Sequence, residues 1–147
     1  MGDPGDAGPA TGPPDRQTLQ LLERRLSDHS LVSATEFEPD RYEPRRLRAQ
    51  LDSEQFPDTV TAARLDVRWF TTGDFSIHYV EAQTDATEWE CRWDRHPNEH
   101  NARLHFHRPP DGTEIADLAF ESTHPMEVSV TVMKAIEQRL ASLWQEY

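Results

Sequence analysis

Apolar and polar residues alternate with a period of two through the middle of the chain, a pattern typical of β-strands. Three alternating segments follow one another at 59–71, 75–79 and 88–94, and turns are expected at Gly73-Asp74 and at Asp85. Their apolar positions, which we expect in the core, are Leu65, Val67, Trp69, Ile77, Tyr79, Trp89, Cys91 and Trp93. Short connections between successive strands predict an antiparallel meander with one buried and one polar face.

Weaker alternation predicts further strands on both sides of these three segments. One strand is expected at 31–37 and another at 45–52, where a helix is the competing prediction. After a polar stretch at 95–103 comes the sequence Leu-His-Phe-His at 104–107. If this segment is a strand, its two histidines lie on one face and Phe106 lies on the other.

Helical spacing of apolar residues appears near both ends of the chain. A short amphipathic helix is predicted at 16–26 from Leu19, Leu22 and Leu26. A second helix is predicted after a cap at Ser122 or Thr123, with Pro125 in its first turn. Its apolar stripe consists of Val128, Val132, Ile136, Leu140, Leu143 and Trp144. The predicted fold is therefore α+β, an antiparallel meander covered on its buried face by the C-terminal helix.

The first 15 residues are mostly Gly, Pro, Asp, Ala and Thr. Such a segment buries too little apolar surface to offset chain entropy, so a disordered tail is predicted at 1–15. One α+β domain is expected over 16–147. Nothing near the start resembles a signal peptide, and no stretch approaches the roughly 18 apolar residues of a membrane span. We therefore expect a cytoplasmic protein that does not contact membrane.

The charge balance is strongly acidic, with 27 Asp and Glu residues against 15 Lys and Arg residues and a net charge of −12. Lys134 is the only lysine. An acidic, arginine-rich surface is typical of proteins that work in molar salt, where the Debye length falls to about 3 Å and self-repulsion is screened. The negative charge therefore indicates a halophilic solvent, and it is weak evidence against an anionic partner. The single cysteine, Cys91, excludes a disulfide within the chain.

Four of the seven histidines lie within twelve residues, and over 92–108 four arginines stand against two acidic residues. The candidate catalytic residues are Arg92, Asp94, His105 and His107. The candidate phosphate-binding residues are Arg95, Arg103 and Arg108, together with Arg46 and Arg48 from a second basic cluster. Possible additional members of the site are His96, Asn98 and His100. If 88–94 and 104–107 pair as antiparallel strands, the four candidate catalytic side chains meet across the ladder.

Three interpretations of this cluster stay open. Two imidazoles can act as general base and general acid in transesterification of an RNA phosphodiester, with arginines stabilising the charge and no metal or other cofactor. Alternatively, His105 and His107 can bind a divalent metal together with neighbouring ligands, although the histidine spacing matches no zinc pattern. In the third interpretation the cluster makes only structural hydrogen bonds. The alternative function is a non-catalytic interaction module whose His/Arg face docks a partner protein or nucleic acid.

The middle of the chain resembles the TumE-type proteins, the toxin halves of two-gene toxin–antitoxin pairs. The likeness lies in Gly73-Asp74 followed by an alternating strand, then Arg92-Trp93-Asp94, then a Pro/His/Asn cluster, then Leu104-His105-Phe106-His107. The family pattern has an Asn and a Pro-His-His step where this chain has 95–100, so Arg92, Asp94, His105 and His107 are the residues that carry over. The resemblance implies a small intracellular toxin that acts on RNA and is partnered by a cognate antitoxin.

Overall fold

Seven strands follow one another in chain order across one antiparallel sheet. The structure, a computed structural model, describes residues 12–96 and 104–146. The strands are β1 Val32–Glu38, β2 Arg46–Leu51, β3 Val60–Trp69, β4 Phe75–Gln83, β5 Glu88–Arg95, β6 Leu104–His107 and β7 Ile115–Asp117. Helix α1 is Arg16–Ser27, helix α2 is Pro125–Glu146, and a short 3-10 helix covers Ser53–Gln55. The predicted α+β meander with two helices is confirmed.

The buried face of the sheet carries the apolar positions of the alternating strands. Leu65, Val67 and Trp69 on β3 are 2–3% exposed, and Ile77 and Tyr79 on β4 are 3% and 1% exposed. Seven of the eight residues expected in the core are buried, and Trp89 is partly buried. Burial and, to a smaller extent, the nearby Glu81 carboxylate together raise the pKa of the Cys91 thiol to about 12. Cys91 is therefore a packing residue, because its thiolate is suppressed at neutral pH.

Both helices pack on this buried face. Leu19, Leu22 and Leu26 of α1 and Val128, Val132 and Ile136 of α2 belong to the same hydrophobic cluster as the sheet. Trp144, predicted within the apolar stripe of α2, is 47% exposed instead, and its indole donates to the Gln55 carbonyl. Trp144 follows Leu143 directly, so it is turned about 100° around the helix from the face that Leu143 buries, which explains the difference.

The N-terminal caps of the two helices are formed differently. Asp15 caps α1 by accepting a hydrogen bond from the Thr18 amide. For α2, the expected cap at Ser122 or Thr123 is wrong. His124 precedes Pro125, and its Nδ1 accepts from the Met126 amide at 3.2 Å. The backbone carbonyl of His124 then accepts the first bonds of the helix.

The predicted tail lies for the most part outside the described residues. Its last residues are hydrogen-bonded along the turn between β3 and β4. The Asp15 amide donates to the Trp69 carbonyl at 2.8 Å, and the Thr71 amide donates to the Pro13 carbonyl at 2.9 Å. These contacts place the start of α1 beside the end of β3.

Candidate active site on the polar face of the sheet

The register of the sheet lines up polar side chains in one row across its open face. Successive strands pair Arg48 with Asp66, Asp66 with His78, His78 with Arg92, and Arg92 with His107. Because directly opposed Cβ atoms stand about 4.5–5.5 Å apart, each of these side chains neighbours the next. The alternation that buries the apolar residues therefore also collects charged and imidazole groups on the other face.

Arg92, Asp94 and His107 form a contiguous group at the junction of β5 and β6. Nε2 of His107 lies 2.9 Å from Oδ2 of Asp94, and Nε of Arg92 donates to the same oxygen at 2.9 Å. A guanidinium nitrogen of Arg92 lies 3.2 Å from Nε2 of His107. The three side chains differ in exposure, at 39% for Arg92 but 8% for Asp94 and 12% for His107. The arginine is thus the member of the group that an outside anion reaches most easily.

Both ring nitrogens of His107 have an acceptor within hydrogen-bonding distance, and Nε2 also lies beside the Arg92 guanidinium, which is a donor. Nε2 faces the Asp94 carboxylate, and Nδ1 lies 3.3 Å from the Gly112 carbonyl oxygen in the turn between β6 and β7. Only the imidazolium form donates from both nitrogens. The positive φ of Gly112, 76°, belongs to the turn that presents this carbonyl. The surroundings of His107 therefore suit a proton donor.

Asp94 is held in its charged form. Burial by itself raises the pKa of a carboxyl, but the hydrogen bond from His107 and the charge of Arg92 outweigh burial and lower the pKa of Asp94 below its usual range. Its second oxygen, Oδ1, is buried and has no hydrogen-bond partner among the residues that the structure describes.

His105 is directly opposite Asp94 on β6, yet it contacts another imidazole. Its Nδ1 lies 3.3 Å from Nε2 of His96, and the ring is 7% exposed. Burial and the neighbouring His96 lower the pKa of His105. The sequence analysis expected Arg92, Asp94, His105 and His107 to meet across the ladder. The first two and His107 are in contact, whereas His105 contacts His96, and the most exposed of the four is Arg92.

The remaining predicted site residues divide into engaged, exposed and undescribed ones. Three arginines are bound to carboxylates, Arg95 to Asp74 at 3.0 Å, Arg46 to Glu38 at 2.6 Å and Arg48 to Asp66 at 2.7 Å. The Arg46 and Arg48 cluster is therefore largely neutralised by acidic partners on the neighbouring strands. Arg108 follows β6 and is exposed. Asn98, His100 and Arg103 lie outside the described residues.

Comparison with known proteins identifies the family. The sequence matches the profile of the family described as toxin TumE over residues 22–140.

The chain belongs to the toxin TumE family.

This match covers the second half of α1, all seven strands and most of α2, so it includes the polar face described above. No curated protein and no solved structure matched the chain significantly. Membership in the toxin TumE family makes the chain the toxin component of a toxin–antitoxin system, and it implies a cognate antitoxin as partner. None of the helices within the described ranges is both long and apolar enough to span a membrane.

One histidine of this polar face was not among the candidate site residues named from the sequence. His78 on β4 lies between Asp66 and Arg92 in the row, and its Nε2 lies 3.0 Å from Oε1 of Glu90. The signal was available, because Ser76 and His78 share the polar parity of β4. What the sequence alone does not show is the register that sets His78 on β4 opposite Arg92 on β5.

The metal-binding interpretation requires several His, Cys, Asp or Glu side chains in one group. Across 12–96 and 104–146, no three His, Cys, Asp or Glu side chains are grouped so that they could hold a metal ion. His105 contacts the imidazole of His96. His107 contacts the Asp94 carboxylate and the Gly112 backbone carbonyl.

Proposed function

We propose that this toxin is a metal-independent ribonuclease whose active site is centred on Arg92, Asp94 and His107. The observation that carries the proposal is the contact of His107 and Arg92 with one carboxylate oxygen of Asp94, both at 2.9 Å. A carboxylate that orients an imidazole beside an exposed guanidinium is an arrangement suited to phosphodiester chemistry.

Arg92 is the phosphate-binding group of the proposed site. Asp94 fixes its Nε, and its exposed end is free to meet an anion from outside the sheet. A guanidinium donates in a planar fork that matches two phosphate oxygens. Arg108, exposed directly after the neighbouring strand β6, is a further candidate for phosphate binding.

The reaction requires two proton transfers, and His107 carries out one of them. Its Nε2 lies beside both Asp94 and the phosphate-binding Arg92, so an Nε2 proton can pass to the departing 5′-oxygen of a phosphate on Arg92 when that oxygen takes the place of the Asp94 acceptor. Asp94 keeps the ring oriented and balances its charge. The second transfer needs another imidazole, and the described histidines next to this group are His105 on β6 and His78 on β4.

In the cell, the proposed substrate is RNA and the consequence is growth arrest, relieved by the cognate antitoxin. A protein with these properties would act in the cytoplasm, as the sequence predicts. The halophilic character of the surface is part of the same proposal, because phosphate contacts weaken in high salt and the largely buried Asp94 and His107 are less screened than a surface patch.

Expression of variants in cells tests the proposal. His107→Gln and Asp94→Asn should remove growth arrest, whereas His29→Gln should leave it intact. His29 is a matched control because it also contacts a carboxylate, Glu137, at 3.0 Å, but it lies beside α2. Full toxicity of a folded His107→Gln variant would contradict the proposal. RNA binding without cleavage by the wild type would favour a docking module instead.

A further inference from the structure

His78 and Glu90 form an imidazole–carboxylate pair that the proposed mechanism does not use. Nε2 of His78 lies 3.0 Å from Oε1 of Glu90, and the two side chains are 31% and 29% exposed. His78 is therefore more open to solvent than His107 at 12%. It is also more open than the buried ring of His105.

The contact with Glu90 favours a protonation state of the His78 ring that differs from the one favoured for the His107 ring. If Nε2–H donates to Glu90, the lone pair of Nδ1 is left to accept a proton. Within the described part of the chain, Glu90 is the only hydrogen-bond partner of the His78 ring. His107, by contrast, faces acceptors at both nitrogens. One ring suits a base and the other suits an acid.

The two rings lie on opposite sides of Arg92. The register pairs His78 with Arg92 and Arg92 with His107, so β4, β5 and β6 present base, phosphate holder and acid in order. With strands about 4.8 Å apart, the two histidine backbones are roughly 10 Å from each other. A phosphate on Arg92 would stand between their side chains.

His105 does not offer this arrangement. It shares β6 with His107, two residues away, so both rings lie on the same side of Arg92. In-line displacement at phosphorus places the attacking and leaving oxygens on opposite sides, so its base and acid must also lie on opposite sides. We propose, resting on the ribonuclease function above, that His78 oriented by Glu90 is the general base and works opposite His107.

The proposed step is a transesterification within the RNA strand. Nδ1 of His78 takes the proton of the ribose 2′-hydroxyl, and the 2′-oxygen forms a bond to phosphorus. The bond from phosphorus to the 5′-oxygen breaks, and His107 gives its proton to that oxygen. The products are a 2′,3′-cyclic phosphate and a 5′-hydroxyl, with one proton taken up and one released. Glu90 is a positioning residue that acts through His78.

The charged groups around the His78 ring come from both neighbouring strands. They are Glu90 and Arg92 on β5 and Asp66, Arg64 and Arg68 on β3. Asp66 is already bound by Arg48 and Arg64, at 2.7 and 3.2 Å, so Glu90 is the carboxylate that contacts the ring. Replacement of Glu90 should therefore change the part of the pH dependence of RNA cleavage that is due to His78.

The first test measures RNA cleavage as a function of pH for His78→Gln, Glu90→Gln and the control His29→Gln. Removal of a general base costs about 10²–10⁴-fold in rate. We expect His78→Gln to lose activity by this factor and to lose the acidic limb of the pH profile. Glu90→Gln should shift that limb and lower kcat more than it raises KM. Wild-type activity and an unchanged profile in His78→Gln would overturn the proposal.

The second test separates base from acid with a short RNA whose scissile 5′-oxygen is replaced by sulfur. A thiolate leaves without protonation, so loss of the acid is rescued by this substrate and loss of the base is not. His107→Gln should regain cleavage on the sulfur substrate, and His78→Gln should stay inactive on both. Rescue of His78→Gln would overturn its assignment as base.

The two proposals fail in different ways. If the wild type cleaves no RNA, the ribonuclease function itself is wrong. Suppose that the wild type cleaves RNA, His107→Gln does not, and His78→Gln cleaves RNA as well as His29→Gln does. The ribonuclease function is then supported, and the role of His78 as general base is wrong. Loss of activity in His105→Gln alone, with His78→Gln fully active, would make His105 the second proton carrier.

Discussion

Arg139 on α2 donates two hydrogen bonds, of 2.9 and 3.0 Å, to Glu81 on β4, whose side chain is fully buried. The Tyr79 hydroxyl donates to the same carboxylate at 2.6 Å. The Arg139 guanidinium also lies 3.7 Å from the centre of the Trp89 ring. These contacts fix the position of α2 over β4 and β5, the strands that carry the proposed site on their opposite face.

Removal of Arg139 should destabilise the protein strongly. Arg139→Met leaves the Glu81 charge buried without a cation, and loss of one partner of a buried pair typically costs about 3–5 kcal/mol. Chemical denaturation would measure this loss. The double variant Glu81→Gln with Arg139→Met should recover part of it, because it removes the uncompensated charge. Equal stability of Arg139→Met and the wild type would show that the pair does not hold α2.

Truncation of Trp93 tests the core beneath the site. The ring is 4% exposed and lies 5.4 Å from the ring of Phe106, so it joins β5 to β6 on the buried face. Trp93→Ala should lower the free energy of unfolding by about 3–5 kcal/mol. Trp144→Ala is the control, since Trp144 is 47% exposed and should cost far less. Similar losses in the two variants would remove Trp93 from the core.

Salt dependence tests the halophilic interpretation of the charge. With a net charge of −12, self-repulsion should destabilise the folded protein in dilute buffer and be screened in molar KCl. The melting temperature should therefore rise with KCl concentration. A melting temperature that is the same in dilute buffer and in molar KCl would refute the interpretation.

Acidification should destabilise the protein through His105. Burial and His96 lower the pKa of His105 from its ordinary value of 6.5, so the folded state binds its proton less readily than the unfolded chain does. The resulting stability is present above pH 6.5 and is lost as the pH falls through the folded pKa. Denaturation at several pH values between 7.5 and 5 should show this loss. His105→Gln should reduce the pH slope, and an unchanged slope would contradict the assignment.

Much of the fold could be predicted because burial and parity agree along the strands. Leu65, Val67 and Trp69 could only be buried on one face of β3, and the same period placed His105 and His107 together on β6. Short turns then made the neighbouring strands pair in order. The meander and the meeting of β5 with β6 both follow from this local pattern.

The rest depended on contacts that a linear pattern does not contain. The sequence shows that Arg46 and Arg48 are clustered, but not that Glu38 and Asp66 on the neighbouring strands neutralise them. It shows that His78 is polar, but not that Glu90 orients it. Side-chain pairing across strands depends on register, and register is set by the folded sheet as a whole.

Analysis of RNA ends tests the central claim most directly. Purified protein would be incubated with single-stranded RNA in EDTA and molar KCl, with His107→Gln, Asp94→Asn and His29→Gln in parallel. The wild type and His29→Gln should produce fragments ending in 2′,3′-cyclic phosphate, and the other two variants should produce none. Intact RNA with the wild type, cleavage only when divalent metal is restored, or equal cleavage by His107→Gln would contradict a metal-independent site centred on Asp94 and His107.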